Sequence, residues 1–440
     1  MERALFDPSS SRERTLQDPQ GLGLWTVCCR KTLFKVKKSS IIVSSFLLRR
    51  QCALRKSSIR GTPLEFHATV EHLSSQGFGT IRDDAGRVYF VRATWPGDRG
   101  VFRPSTEREG RYQFAELLSL TEPSVQRRPL PVPCAHFGVG PTHCYGCPWI
   151  IATETAQEQQ KWHRLHYAFE RVGLDTSCIK DLWAAPQSFG YRSRAQFKTD
   201  GIRVGYAGLQ GKAIANIDRC LTLSPIVSQH LKDLQDALPQ AQWQPTPPHI
   251  WNFLEVDEES RLDQLEICRR RPFQQVNKQQ NERMRQWVSD QVSGHHVLEL
   301  FAGSGNFTEA MAGDPNRRID AFEVGEAAVR GLESKMLLNV SARRVDLYDS
   351  KAHAALRTIA ADSLFVNPPR AGLMSLTKLP RYLPSLQEII YVSCDIQSLV
   401  TDLQKLTKNG FHLVQVQPVD QMPQTPHLEV LVKLERQPAS

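Results

Sequence analysis

The chain lacks what a membrane protein needs. Of its 440 residues, Ile41 to Leu48 comes nearest to a long apolar run, far short of the roughly 20 residues a span requires. Basic residues flank it on both sides and no small-residue cleavage site follows, which argues against a secretory signal. Internal repeats and low-complexity tracts are missing, so no repeat array is expected. Acids are missing from Cys28 to Thr62, a stretch holding ten Lys and Arg. The whole chain carries +9, from 55 Lys+Arg against 46 Asp+Glu, so without that stretch it is close to neutral. A polyanionic partner is favoured, although most of the excess sits in this extension. Residues 1–62 read as that extension, basic and disordered. A disulfide framework is missing as well: ten unevenly spaced cysteines suit a reducing, cytoplasmic compartment, with some thiols used chemically.

What is present is room for two to four domains, with 40% apolar and 23% charged residues. The organising stretch is Val297-Leu298-Glu299-Leu300-Phe301-Ala302-Gly303-Ser304-Gly305-Asn306-Phe307-Thr308. A buried strand runs into a tight Gly-x-Gly turn and then a helix, the opening unit of a doubly wound sheet. Glycines at 303 and 305 allow positive φ and close approach of backbone to a ligand. The third glycine of a dinucleotide fingerprint is absent, with Thr308 in its place. The turn therefore suits S-adenosylmethionine, a nucleoside without phosphates.

Ahead of it, short alternating segments between Leu64 and Glu122 predict five strands in a small closed barrel of the oligonucleotide-binding kind. Phe78, Tyr89 and Phe90 are candidates for stacking bases or for filling the interior, with Arg82, Arg87 and Arg92 near phosphates. This segment resembles a TRAM domain, an RNA-binding barrel. Glu122 to Pro133, with four prolines, reads as a linker. A Gly/Pro loop then carries Cys134, Cys144 and Cys147. Cys220 is the natural fourth thiolate, ahead of Cys178 and Cys268, and four thiolates suit zinc or an iron–sulfur cluster. His136 and His143 are alternative zinc ligands. A helix from Glu154 to Arg171 precedes paired strands, in which Arg192 and Arg194 could form a phosphate ladder. Phe273–Asn277 leads into an amphipathic helix through Met284 and Trp287.

After the organising turn, strands end at Glu323, before Asp346, at Asn367-Pro368-Pro369-Arg370 and at Ser393-Cys394-Asp395. Glu323 is placed for ribose hydroxyls and Asp346 for adenine. An aromatic residue after Pro-Pro would suit transfer to an amino nitrogen, and Arg370 stands there instead. Cys394 has another use. Uracil C5 is too poor a nucleophile to take a methyl group until a thiolate adds to C6. A carboxylate must then remove the C5 proton, and Cys394 with Glu429 supply the pair.

On the Cys134…Cys144-x-x-Cys147 loop with Cys220, Tyr191-Arg192-x-Arg194-Ala195, Phe273–Asn277, F-x-G-x-G-N-F-T, P-P-R-A-G, Y-V-S-C and H-L-E, Leu64 to Lys433 resembles the bacterial 23S ribosomal RNA uracil-5-methyltransferases. The similarity is to the branch with a TRAM domain and a [4Fe-4S] cluster. It implies a multidomain α/β protein: a TRAM barrel (63–122), a central α+β domain with the iron–sulfur loop (123–270) and a Rossmann-like class I methyltransferase domain (271–440). It implies Cys394 as nucleophile and Glu429 as base. S-adenosylmethionine would be held by Gln275, Phe301, Asn306, Glu323 and Asp346, with Asn367 at the methyl donor, and the cluster by the four cysteines. A cytoplasmic monomer acting on 23S rRNA, without membrane association, is expected. Three departures matter. Asn367 replaces an aspartate, Asp395-Ile396 replaces Asn-Pro after the nucleophile, and the Cys134–Cys144 gap is long. A carboxylate beside Cys394 is expected to raise the thiol pKa. Competing readings are a T-loop tRNA uridine enzyme, a 5-methylcytidine enzyme, and a catalytically weak RNA-binding protein of the same fold.

Overall fold

The computed structural model describes residues 65–109, 112–269 and 273–437; the reading of residues 1–62 lies outside them. Six strands come first: β1 (Phe66–Thr69), β2 (His72–Leu73), β3 (Gly79–Arg82), β4 (Val88–Val91), β5 (Arg99–Glu109) and β6 (Tyr112–Glu122). They form one sheet in the order β1-β5-β6-β4-β3-β2. Five strands were expected; the sixth arises because the first bends. Val70 N–H donates to Asp98 O (2.8 Å) and Glu71 N–H to Thr80 O (2.9 Å). One stretch of chain thus serves both edges, β1 against β5 and β2 against β3. Val70, Ile81, Tyr89, Val91 and Phe102 fill the interior. Tyr89 is therefore a core residue, not a stacking platform. The stretch read as a linker is packed, with Arg127 bonded to the buried Asp98 (2.7 Å) and Trp95 Nε1 donating to Gln126 (2.9 Å).

Helix α1 (Glu154–Arg171) starts where the sequence expects it, with Thr153 capping Ala156 N–H and Glu154 in the first turn. A four-stranded antiparallel sheet follows, β10-β7-β8-β9, from β7 (Arg194–Thr199), β8 (Val204–Ala207), β9 (Ile214–Asn216) and β10 (Asn252–Asp257). Helix α2 (Pro225–Asp236) buries Val227, Leu231 and Leu234 beside Phe197 and Val256. The phosphate ladder is not formed. Arg194 is buried and pairs with Glu255 across β7/β10 (2.8 Å), and Arg192 Nε donates to Arg194 O (3.0 Å).

The last sheet has seven strands: β11 (His296–Leu300), β12 (Arg318–Glu323), β13 (Val340–Arg344), β14 (Ser363–Val366), β15 (Glu388–Ser393), β16 (Phe411–Val419) and β17 (Glu429–Arg436). Their order is β13-β12-β11-β14-β15-β17-β16. The first five are parallel; the central strands β14 and β15 are buried along their whole length, as cover on both faces requires, while β13 at the edge ends in exposed arginines. Strand β17 runs against both neighbours. Covering helices include α3 (Lys278–Gln291), α4 (Asn306–Ala312), α5 (Glu326–Glu333), α6 (Ala352–Leu356) and α7 (Ile396–Thr407). Met284 and Trp287 of α3 are buried, as the amphipathic pattern requires. From the other side, α1 packs Leu165, Ala168 and Phe169 into the same core as Leu298, Tyr391 and Leu399. Among the described residues no helix is long and apolar enough to cross a membrane.

One buried pair ties α1 to the loop that leads into β17. Lys161 Nζ, fully buried, meets Asp420 Oδ1 at 2.6 Å and Met422 O at 3.2 Å. Removing one partner strands the other charge. Asp420→Ala is expected to lower stability by about 3–5 kcal/mol, with most of it recovered by adding Lys161→Met. Urea unfolding midpoints of the two variants check this.

Candidate active site

Strand β11 ends in a constrained turn. Phe301 holds φ 63, Gly303 φ 57 and Gly305 φ 87, all in the left-handed region, where a bulky residue is strained. A Cβ at Gly305 would meet Leu332 Cδ1 at 2.5 Å, while at Gly303 nothing lies within 4 Å. Gly305 is thus needed for packing, and Gly303 for its φ and for leaving open space. Glu323, at the end of β12, accepts from Gly303 N–H (3.0 Å), Val324 N–H (2.9 Å) and Gly325 N–H (2.8 Å). The carboxylate so held closes one side of a cavity of about 540 Å³, a size that takes a small cofactor.

All six residues expected at the cofactor line this cavity: Gln275, Phe301, Asn306, Glu323, Asp346 and Asn367. Two are partly committed elsewhere. Asn306 exchanges hydrogen bonds with Asn281 of α3 (2.9 Å each way), and Gln275 accepts from Gln421 (3.1 Å). Cys394 and Glu429 line it as well. The register explains their meeting. Ser393 is opposite Val430 in the antiparallel β15/β17 pair, so the next position on each chain brings Cys394 across from Glu429.

A second cavity of about 560 Å³ opens on the other side of Cys394. Its lining includes Ser75, Gln76 and Phe78 of the first sheet, Tyr145 of the cysteine loop, Arg164 of α1 and His427. The two cavities share Cys394 and Arg370. Arg164 is spent on the walls, donating to Pro426 O (2.8 Å) and Ser75 O (2.5 Å).

Low polarity governs the titrating groups. Burial, then the Glu429 charge, pushes the Cys394 thiol up to about 11, opposed by Arg370. Asp395 contributes in the expected direction but less. Its carboxylate caps α7, accepting from Ser398 N–H (2.9 Å), and helix N-termini favour such a charge. Enclosure raises Glu429 to about 7, again opposed by Arg370. His427 is lowered to about 4 by burial and by Arg370, Lys161, Arg164 and Arg192, which leaves it neutral. Glu299 had no sequence signal beyond an acid at a strand end. It is fully buried in the cavity wall, neither oxygen has a hydrogen-bond partner, and its carboxyl rises to about 8 by burial.

The three loop cysteines and Cys220 lie around one pocket. Cys134, Cys144, Cys147 and Cys220 line one small pocket walled by Phe137, Ile150, Phe189 and Tyr206. Burial and then the neighbouring cysteines raise Cys147 strongly. Cys144 moves the same way. Cys178 is buried in the core under α1 and Cys268 is exposed, so neither joins the set. His136 is engaged by Asp218, and His143 packs against Gly138 and Gly140. Among the described residues no group of three or more His, Cys, Asp or Glu is arranged to hold a metal ion.

The tRNA (uracil-5-)-methyltransferase family profile matches residues 255–437. An uncharacterised RNA methyltransferase of Nitrosomonas europaea is 36% identical over 386 residues, covering 85% of this chain and 98% of its own. The 23S rRNA (uracil(1939)-C(5))-methyltransferase RlmD of Acidithiobacillus ferrooxidans is 26% identical over 442 residues, covering 83% and 96%. The fold is shared with the Pyrococcus abyssi tRNA (uracil-54, C5)-methyltransferase in complex with S-adenosyl-L-homocysteine. That match has TM-score 0.61 and 19% identity, covering 84% of this chain and 100% of the other.

Glu299 makes stability depend on pH. Its folded pKa of about 8 lies above the ordinary 4.5, so between these values the folded protein keeps a proton that the unfolded chain has lost. The stabilisation is complete below 4.5 and disappears as pH rises through 8, at up to about 1.4 kcal/mol per pH unit. Glu299→Gln is expected to flatten this decline. Urea midpoints at about pH 5 and about pH 8 measure it.

Proposed function

This chain belongs to the RNA uracil-5-methyltransferase family, S-adenosylmethionine-dependent enzymes acting at C5 of uracil, and from that premise we propose which residues do the chemistry and which RNA receives the methyl group. Cys394 is the nucleophile that adds to uracil C6, and Glu429 is the base that removes the C5 proton. The observation that carries this reading is that Cys394 and Glu429, next to the paired Ser393 and Val430 of β15 and β17, line one cavity. A base raised to about 7 is half-ionised near neutral pH, where general-base catalysis is most effective.

The cofactor, when bound, supplies a methyl group on a sulfonium sulfur. Gln275, Phe301, Asn306, Glu323, Asp346 and Asn367 hold it in the first cavity. The space over Gly303 and the unpartnered carboxyl of Glu299 support that fit. The second cavity takes the target nucleotide, and Cys394 stands where the two meet.

The target is a uridine of 23S rRNA. Support comes from the several RlmD relatives aligned over 82–89% of this chain. We read residues 63–122 as a TRAM barrel bearing RNA, 123–270 as the central domain and 271–440 as the catalytic domain of a cytoplasmic enzyme. Arg92 lying 4.3 Å over Phe114, with Phe78 reaching into the second cavity, supports an RNA-facing role for the barrel. Cys134, Cys144, Cys147 and Cys220 hold a [4Fe-4S] cluster. Support comes from four thiols lining one apolar pocket.

Cys394→Ala is expected to abolish tritium release from 5-tritiated uridine RNA, a fall of at least about a thousand-fold. Retained release would remove Cys394 as nucleophile. Mapping 5-methyluridine in cells with and without the gene is expected to show loss from 23S rRNA; loss from transfer RNA alone would replace the substrate. An anaerobic preparation is expected to be brown, with the colour lost in Cys147→Ser. A colourless, zinc-loaded protein would replace the cluster.

A further inference from the structure

Addition of the Cys394 thiolate to uracil C6 moves electrons in a defined way. The Sγ–C6 bond forms, the C5=C6 pair becomes a C4=C5 double bond, and the carbonyl pair of C4 settles on O4 as a negative charge. The thiol proton has already left to water in the cavity. An oxyanion in a desolvated site needs a donor already in place. Neither Cys394 nor Glu429 can be that donor, since both act as anions. His427 is neutral and Arg164 is bonded to two backbone carbonyls.

Arg370 remains. It is the cation, among the described residues, that lines both cavities, and it does so together with Cys394. Its backbone is rigid. Two prolines precede it and fix φ. Gly372 N–H donates to Pro369 O (2.8 Å), so Arg370 occupies the first central position of a β-turn. That turn is tied down on its far side. Gly372 O accepts from Tyr348 Oη (2.8 Å), and Leu373 N–H donates to the buried Asp402 (2.6 Å). Arg370 is exposed as a residue and lines both cavities.

Resting on the reading of Cys394 as nucleophile, we infer that Arg370 is a further catalytic residue, whose guanidinium donates to O4 of the target uracil and holds the charge formed when Cys394 adds to C6. Its charge also favours the thiolate and the Glu429 carboxylate, both of which it draws downward in pKa.

The test uses full-length enzyme, S-adenosylmethionine and an unmodified 23S rRNA transcript carrying 5-fluorouridine. Without a C5 proton to lose, the methylated product stays joined to Cys394. Adduct formation at saturating RNA is followed on denaturing gels for wild type, Arg370→Gln and Arg370→Lys. Arg370→Gln is expected to form adduct about a hundred-fold more slowly. Arg370→Lys, which keeps a charge but not the planar fork, should fall between. Affinity for S-adenosylhomocysteine, read by calorimetry, should stay unchanged in both and shows that they are folded. Wild-type adduct rates in Arg370→Gln overturn the inference. So does a defect confined to RNA affinity, which would make Arg370 a phosphate clamp. A wild-type enzyme that methylates but forms no adduct, or an active Cys394→Ala, overturns the nucleophile reading and this inference together.

Discussion

The pairing of β15 with β17 is the constraint on which the site depends. Five parallel strands deliver cofactor-side residues to one edge of the sheet, but a parallel sheet alone cannot bring a late residue back to face Cys394. Strand β17 returns antiparallel, with Ser393 opposite Val430, and Glu429 enters at that edge. A slip of one residue would turn Glu429 to the other face of the sheet. The register is secured by burial: Val430, Leu431, Val432 and Leu434 are all within the core. Glu388 anchors the far end of β15 by accepting from Ser293 N–H (2.7 Å) and Ser293 Oγ (2.8 Å).

Desolvation helps one member of the pair and hinders the other. Raising a carboxyl to about 7 makes Glu429 a better base near neutral pH, while the same enclosure holds the Cys394 thiol protonated, near 11. Any opposing cation must face both groups without being neutralised by a buried partner. Arg370 does so from a pinned turn, and Asp395 is drawn into the α7 cap. The aspartate that follows Cys394 is accommodated as a helix cap, so its electrostatic penalty is smaller than adjacency alone implies.

The approach to β17 is held from outside the catalytic sheet. Lys161 grips Asp420, Gln157 exchanges hydrogen bonds with Gln424 (Nε2 to Oε1 2.9 Å; Gln424 N–H to Oε1 2.9 Å), and Tyr191 Oη donates to Pro423 O (3.0 Å). Trp149, two residues past Cys147, donates its backbone N–H to Gln424 O (3.0 Å). Two residues along the chain and one hydrogen bond therefore connect the cysteine loop to the segment that presents His427 and Glu429. That contact gives the loop a mechanical connection to the chemistry, separate from any redox step.

Much of this was legible in the sequence, because the signals were local. The Gly-x-Gly turn, the helix from Glu154 to Arg171, the strand ends at Glu323 and Asn367, and the cysteine at a strand tip follow from hydrophobic period, capping and backbone freedom over a few residues. The residues that line the first cavity were named largely from the family resemblance, and three of the four pocket cysteines from one short loop. What the sequence could not contain was the partner of each charge. Arg194 read equally as a phosphate contact or a solvated charge until the β7/β10 pairing placed Glu255 beside it, and the choice between stacking and interior for Tyr89 was made by the core that closes over it. The unsatisfied carboxyl of Glu299 and the shared position of Arg370 between two cavities depend on residues far apart in the chain. Local chemistry is written along the sequence; burial and pairing exist only once the distant strands have met.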